Sequence, residues 1–143
     1  MSSSHILIVD DDETVRMILT AHCVGRGFRV SSAVDGAAAL EIIERQPVDV
    51  LLTDLEMPGM DGIALLQAVR ERGMLTRCVV VTGYATIANL TACLRQGAFA
   101  LVAKPIDGSG NLDSAIDQAL AQLASWKQQM NDIVSRRHAR SGS

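Results

Sequence analysis

Short apolar runs alternate with longer segments of helical spacing along the whole chain. Each run is rich in β-branched and aliphatic residues and ends at a polar or small residue, which is typical of a strand. The runs are HILIV (5–9), FRVSSA (28–33), VDVLLT (48–53), RCVVVT (77–82) and FALVA (99–103).

A segment with apolar residues at three- and four-residue steps follows each run. Val15, Ile18 and Leu19 begin the first such segment, and the fourth contains Ile87, Leu90 and Leu94. Strands that alternate with helices predict an α/β fold, a five-stranded parallel sheet with helices on both faces. Three runs are continuously apolar and predict central strands, whereas the more polar run at 28–33 predicts an edge strand.

Polar side chains stand where four of the predicted strands end. Asp10 and Asp11 follow the first strand, Asp54 follows the third, Thr82 ends the fourth and Lys104 follows the fifth. Ligands of open α/β sheets bind outside the carboxyl ends of the strands. We therefore expect these five side chains to converge on one crevice, although each alone has an ordinary structural explanation.

The charges in such a crevice predict its chemistry. Carboxylates about 5 Å apart repel by roughly 3 kcal/mol per pair at an effective dielectric constant near 20. Mg²⁺ offsets this repulsion, because it binds a few carboxylate oxygens together with water and phosphate oxygens. Asp54 is then a candidate nucleophile that forms an acyl phosphate, with Thr82 and Lys104 on the phosphoryl oxygens.

Composition narrows the class of protein. The 143 residues fit one domain, and the net charge of −3 argues against a nucleic-acid surface. Cys23, Cys78 and Cys93 have no disulfide or zinc spacing. Free thiols and the lack of a signal peptide predict a cytoplasmic protein, and no apolar run is long enough to span a membrane.

Four motifs together resemble the receiver domain of two-component response regulators. They are ILIVDDD, LLTDLEMPGMDG, VVVTGYA and GAFALVAKP, and the resemblance covers residues 5 to about 125. It implies a doubly wound, flavodoxin-like sheet of order 2-1-3-4-5. It also implies a signalling domain rather than an enzyme, one that takes a phosphoryl group from a sensor histidine kinase or phosphotransfer protein and catalyses its own phosphorylation and dephosphorylation.

The resemblance further implies a role for each site residue. Asp54 accepts the phosphoryl group, and Thr82 and Lys104 bind its oxygens. Mg²⁺ is ligated by Asp11, Asp54 and the main-chain carbonyl of Glu56, with Asp10 acting through water. A cis peptide joins Lys104 to Pro105.

One position departs from the receiver pattern. Leu101 stands where many receivers carry a tyrosine or phenylalanine that turns inward on phosphorylation, so the usual aromatic coupling is in question here. Tyr84 and Glu56 occupy positions at which receivers tune the lifetime of the phosphoryl group, and Tyr84 is expected near the mouth of the site.

The last helix outruns the predicted domain. Apolar residues at heptad spacing predict a helix over 111–137, about 40 Å long, against strands of about 17–20 Å. We divide the chain into a receiver domain (1–125) and a helical extension with a basic tail (126–143), with no output domain. Trp126, Met130 and Ile133 would lie in water unless a second copy covers them, so a homodimer and a solvated tail are both open.

Three alternatives remain at this stage. DDDETV at 10–15 matches the signature of haloacid dehalogenase-type phosphatases, with Asp10 as nucleophile and Asp12 as acid and base. That family needs downstream paired acids that this chain lacks. An FMN-binding module would need a Ser/Thr/Gly-rich loop after the first strand, where carboxylates stand instead. The third alternative is a receiver-like scaffold that is never phosphorylated.

Overall fold

The chain alternates strand and helix. The computed structural model describes residues 3–83, 85–105 and 110–141. Within these residues the elements are β1 (His5–Val9), α1 (Glu13–Gly25), β2 (Arg29–Ala33), α2 (Gly36–Arg45), β3 (Val50–Thr53), α3 (Gly62–Glu71), β4 (Arg77–Thr82), α4 (Ile87–Arg95), β5 (Ala98–Ala103) and α5 (Asn111–Ser141).

The described strands form one parallel sheet of order β2-β1-β3-β4-β5, as predicted. β1, β3 and the middle of β4 are buried, whereas β2 is partly exposed and lies at an edge. Val9 pairs with Thr53, and Thr82 pairs with Ala103. This register brings the carboxyl ends of four strands to the same edge of the sheet.

The core has two layers because successive strand residues point to opposite faces of the sheet. Leu7, Leu51 and Val80 lie on the face that α2, α3 and α4 cover. Ile6, Leu52 and Val79 lie on the face that α1 and α5 cover. Both faces of the sheet are therefore shielded from water, which explains why the central strands are apolar throughout.

Four helices begin at a side-chain cap. Asp12, Asp35, Asp61 and Thr86 each accept a hydrogen bond from a main-chain amide in the first turn of the helix that follows. Such caps satisfy amide groups that have no partner within the helix. Asp12 and Asp61 thus have a structural role even though both also border the crevice described below.

Two helices bury a narrower stripe than their apolar spacing predicts. Ile18 of α1 is 56% exposed, and in α4 Ile87 is 83% and Leu94 54% exposed, while Cys93 is fully buried. α4 lies beside the edge strand β5, where only the Leu90–Cys93 side of the helix meets the core. The three- and four-residue spacing of apolar residues therefore included positions that face the solvent.

α5 is longer than predicted, since it ends at Ser141 rather than Arg137 and is about 46 Å long. Ile116, Ala119 and Leu123 are buried, whereas Trp126 is 51% and Ile133 67% exposed. α5 therefore begins to extend beyond the domain between Leu123 and Trp126. No helix within the described ranges, α5 included, is long and apolar enough to cross a bilayer.

Side-chain contacts with Arg77 and Asp49 hold α5 at the point where it extends beyond the domain. The Arg77 guanidinium donates to the side chain of Gln122 at 3.0 Å and lies 5.7 Å from the ring centroid of Trp126. Lys127 lies 3.7 Å from Asp49. Trp126 is therefore packed against a cation on one face, and is not left wholly in water as the sequence led us to expect.

The turn after β3 depends on Gly62. Its amide donates to the carbonyl of Leu55 at 2.8 Å, so α3 begins against the main chain that carries Asp54. A Cβ at position 62 would overlap the Asp54 carbonyl and lie 2.9 Å from the Leu55 Cα. Glycine at position 62 therefore allows this close approach of two backbones.

Gly62→Ala should lower the free energy of unfolding by about 1–3 kcal/mol, because main-chain atoms cannot yield to the added methyl group. Urea denaturation followed by circular dichroism measures this change. Gly25→Ala is the control, since a Cβ there meets nothing within 4 Å. Equal stability of the two variants would contradict the close-packing explanation.

Candidate functional site

Asp54 follows the last residue of β3 and is fixed by main-chain groups. Its amide donates to the Val9 carbonyl at 3.1 Å, and its Oδ1 accepts from the Leu55 amide at 2.6 Å. Its side chain is 13% exposed. One carboxylate oxygen is thus held by the backbone, while Oδ2 faces Lys104.

Lys104 joins two carboxylates from different strands. Its Nζ donates to Asp10 Oδ2 at 2.7 Å and to Asp54 Oδ2 at 2.8 Å. Burial of the ammonium lowers the pKa of Lys104, but the hydrogen bonds and charges of Asp10 and Asp54 outweigh it and raise the pKa above its ordinary value. Lys104 is therefore a cation that balances part of the acidic charge.

Asp10 is the most buried acid of the site, with 2% of its surface exposed. Besides Lys104, its carboxylate accepts a hydrogen bond from the Asp12 amide at 2.9 Å. Burying a carboxylate is costly unless it is paired and hydrogen-bonded. Both oxygens of Asp10 meet this requirement.

Acidic side chains border an open cleft of about 720 Å³ around this pair. Asp11 and Glu56, both predicted metal ligands, lie on its border, and Asn89 of α4 also lines it. Lys104 is the cation among the described residues that line it. The remaining acids of the lining are Asp10, Asp12, Asp54 and Asp61.

The donor set of this cleft fits Mg²⁺. No three His, Cys, Asp or Glu side chains of the described residues enclose a metal ion. Mg²⁺ does not need such a cage, because it keeps several waters and takes one or two carboxylates plus phosphate oxygens. Asp10 and Asp54 converge on the Lys104 ammonium, so positive charge already stands beside both carboxylates.

Thr82 lies beside the acidic cleft rather than on its border. Its carbonyl accepts from the Lys104 amide at 2.9 Å, which links the ends of β4 and β5. With Gly83, Leu90 and Leu101 it lines a separate and mostly apolar cleft of about 300 Å³. The structure therefore brings together Asp10, Asp11, Asp54, Glu56 and Lys104, with Thr82 next to them. Tyr84 lies outside the described residues.

The phosphatase alternative is not supported. It requires Asp12 as acid and base, but the Asp12 carboxylate accepts from the amides of Thr14 and Val15 and caps α1. It also requires Asp10 as nucleophile, but the Asp10 side chain is only 3% exposed, against 13% for that of Asp54.

Two residues near the site were not found from the sequence. Arg16 donates to the main-chain carbonyl of Asp10 at 2.6 Å, and Asn89 lines the acidic cleft. Arg16 stands six positions after Asp10, and neither residue belongs to a motif of strand-end acids. A hydrogen bond from a side chain to a main-chain carbonyl cannot be recognised from the pattern of residue types along the sequence.

The Lys104–Pro105 peptide bond is cis, in agreement with the expectation from the resemblance.

Comparison with known proteins identifies the family. A model of the response regulator receiver domain matches residues 6–117. The DNA-binding transcriptional regulator NtrC of Escherichia coli (strain K12) is 33% identical over 121 residues, which are 85% of this chain and 24% of the relative. The regulatory protein AtoC of the same strain is 36% identical over 130 residues, 91% of this chain and 28% of AtoC. The chain thus spans about a quarter of the length of the curated relatives it matches.

Solved structures of receiver domains support the same family assignment. A CheY-like response regulator receiver domain protein from Methanospirillum hungatei JF-1 superposes with a TM-score of 0.81 at 29% identity, over 87% of this chain and 98% of that one. The receiver domain of the putative response regulator NarL from Mycobacterium tuberculosis gives 0.75 at 30% identity, over 83% and 98%. This chain belongs to the response regulator receiver domain family.

Proposed function

We propose that Asp54 accepts a phosphoryl group from a histidine kinase or a phosphotransfer protein in a Mg²⁺-dependent reaction. The observation that carries this proposal is the Lys104 ammonium, which lies within 2.8 Å of both Asp10 and Asp54 in an open acidic cleft. A cation that already contacts the acceptor oxygen can also bind an incoming phosphoryl oxygen. The acidic surroundings otherwise repel a phosphoryl group, so such a cation is required.

The transfer forms one bond and breaks another. An oxygen of Asp54 attacks phosphorus, the P–N bond of the donor phosphohistidine breaks, and its electron pair returns to the imidazole nitrogen. Asp54 Oδ1 stays bound to the Leu55 amide at 2.6 Å, which orients the carboxylate during this step. Hydrolysis of the acyl phosphate by water releases inorganic phosphate and restores Asp54, and we assign catalysis of both steps to the domain.

Asp11, Asp54 and the carbonyl of Glu56 are the groups we assign directly to Mg²⁺, with Asp10 acting through water. When bound, the ion neutralises charge on the acids and on the phosphoryl oxygens that approach them. Lys104 supplies positive charge from the β5 side of the cleft. Asp11 is exposed and is not held by Lys104, which leaves its carboxylate available for the ion.

The signal leaves through β4, α4 and β5. Thr82 borders the apolar cleft with Leu101 and Leu90, so a movement of Thr82 toward Asp54 changes the packing of both. A leucine has no ring to rotate, and the change passes through backbone and packing instead. Ile87 and Leu94, both more than half exposed on α4, form the surface that a partner reads.

The division into a receiver domain (1–125) and an extension (126–143) is part of this proposal. We assign the exposed seam of the extension to a second copy of the chain. After the buried Leu123, Trp126, Met130 and Ile133 continue the heptad spacing that α5 uses inside the domain, and this spacing is that of a coiled-coil seam. A solvated helix gains nothing from such spacing beyond the edge of its domain.

The cytoplasm is the compartment we assign. Cys23, Cys78 and Cys93 are free and buried, as thiols of proteins in reducing compartments are. Burial raises the pKa of the Cys23 thiol to about 11 and that of Cys78 to about 12, so both stay protonated and unreactive.

Acetyl phosphate with Mg²⁺ should label wild-type protein on Asp54, and Asp54→Asn should abolish the label. Mass spectrometry of the intact protein and of its peptides locates the added phosphoryl group. Asp61→Asn is the control, because it changes another carboxylate of the cleft that already serves as a helix cap. A label on Asp10, or a normal level in Asp54→Asn, would overturn the assignment.

Mg²⁺ at ten times its dissociation constant should raise the free energy of unfolding of wild-type protein by about 1.4 kcal/mol. Asp11→Ala should lose most of this gain, because the exposed carboxylate is the one that Lys104 does not hold. Thermal melts with and without Mg²⁺ measure the response. Glu13→Ala, an exposed acid of the first turn of α1, should respond as wild type does. An undiminished gain in Asp11→Ala would place the ion elsewhere.

Trp126→Ala should weaken self-association and leave labelling of Asp54 within about twofold of wild type. Because Trp126 also contacts Arg77, Ile133→Asp serves as a second variant that lies beyond the domain. Sedimentation velocity with and without beryllofluoride measures the mass. Val24→Ala is the control, a residue 55% exposed on α1. If both extension variants sediment as wild type does in both states, the extension is not a dimer seam.

A further inference from the structure

The buried Asp10 has a partner for every polar atom. Its amide donates to the Ala33 carbonyl at 3.3 Å, Oδ1 accepts from the Asp12 amide at 2.9 Å, and Oδ2 accepts from Lys104 at 2.7 Å. The remaining atom is the main-chain carbonyl oxygen. It accepts from the Arg16 guanidinium at 2.6 Å, the shortest of these bonds.

The sheet cannot supply this last bond. β1 ends at Val9, which is the last residue of β1 that pairs with β2 and β3. The carbonyl of the next residue lies past the ladder and inside the protein, where an unpaired acceptor is costly. Arg16 lies one turn into α1, and its own amide donates to the Asp12 carbonyl at 3.0 Å. The arginine therefore joins both ends of the turn from Asp10 to Asp12.

We propose that Arg16 is a positioning residue for phosphoryl transfer. It holds the turn that carries Asp10 and Asp11 and so fixes the direction of both carboxylates toward Asp54. It contacts the main chain of the turn and acts through the acids rather than on the phosphoryl group. This proposal rests on the phosphoacceptor function proposed above.

The charge of Arg16 strengthens this role. A hydrogen bond from an ionised donor is shorter and about twice as strong as a neutral one. The guanidinium also places positive charge behind a turn with three successive carboxylates, Asp10 to Asp12. A lysine keeps the charge and one donor, whereas a methionine keeps only the apolar stem, so the two replacements separate the bond from the packing.

Loss of the bond should lower the rate of phosphorylation more than the affinity for the donor. A displacement of reacting groups by about 1 Å can reduce a rate up to about a hundredfold. We expect Arg16→Met to lower the maximal rate constant with acetyl phosphate at least tenfold, at saturating Mg²⁺ for each variant. Its half-saturating acetyl phosphate concentration should stay within threefold, and Arg16→Lys should recover most of the rate.

A second measurement does not depend on activity. The Asp12 amide lies in an exposed residue, and its hydrogen bond to Asp10 Oδ1 is what protects it from exchange with water. Hydrogen exchange followed by NMR should show that Arg16→Met loses this protection at least tenfold, while the amides of Leu7 and Leu51 in the core exchange as in wild type. Arg45→Met, which replaces an exposed arginine of α2, should change neither readout.

The outcomes are distinct. If wild type is not labelled on Asp54, the proposed function itself fails. If wild type is labelled and Arg16→Met matches it in rate and in Asp12 exchange, the positioning role is wrong. It is also wrong if Arg16→Met accelerates exchange equally at Asp12 and in the core strands, since that result indicates a general loss of stability. A selective loss at Asp12 together with a slower rate supports the proposal.

Discussion

The ion pairs of Lys104 with Asp10 and Asp54 are the interaction on which the site depends. Lys104 lies 94 positions after Asp10 and 50 positions after Asp54, so these ion pairs hold the ends of β1, β3 and β5 together. In a largely buried place, an acid without a cation would take up a proton or distort the fold. The lysine holds both carboxylates close together, while the cleft around them stays open. The fold thus holds the carboxylate that we propose as the phosphoryl acceptor beside a positive charge.

The sheet makes this arrangement possible because it is parallel and buried on both faces. Parallel strands deliver all of their carboxyl ends to one edge, and dry faces confine polar chemistry to that edge. Close packing at Gly62 and side-chain caps at Asp12 and Asp61 then fix the loops that surround the cleft. Aspartates serve both as helix caps and as candidate site residues here. A count of the aspartates around the cleft therefore overstates the number that are available for chemistry.

The sheet order followed from the resemblance to receiver domains, whereas the alternation of strands and helices and the convergence of Asp10, Asp11, Asp54 and Lys104 could be predicted from the residues themselves. They could be predicted because buried parallel strands are apolar without interruption, so that a charge at a strand end stands out. The exposed positions of Ile18, Ile87 and Leu94 could not, since apolar spacing does not reveal how wide a stripe the neighbouring elements cover. Nor could the contact of Arg16 with a main-chain carbonyl, or the stacking of Arg77 on Trp126, because both depend on the direction of a long side chain.

The continuous α5 helix has a mechanical consequence. Trp126 and Lys127 contact Arg77 and Asp49, and the part of α5 after them is about 21 Å long at 1.5 Å per residue. A rigid rod of that length works as a lever arm whose pivot is the Arg77–Trp126 contact. A tilt of about 10° at the pivot moves the far end by about 4 Å, given the same rise per residue. A small rearrangement at the pivot would thereby become a displacement as large as a side chain.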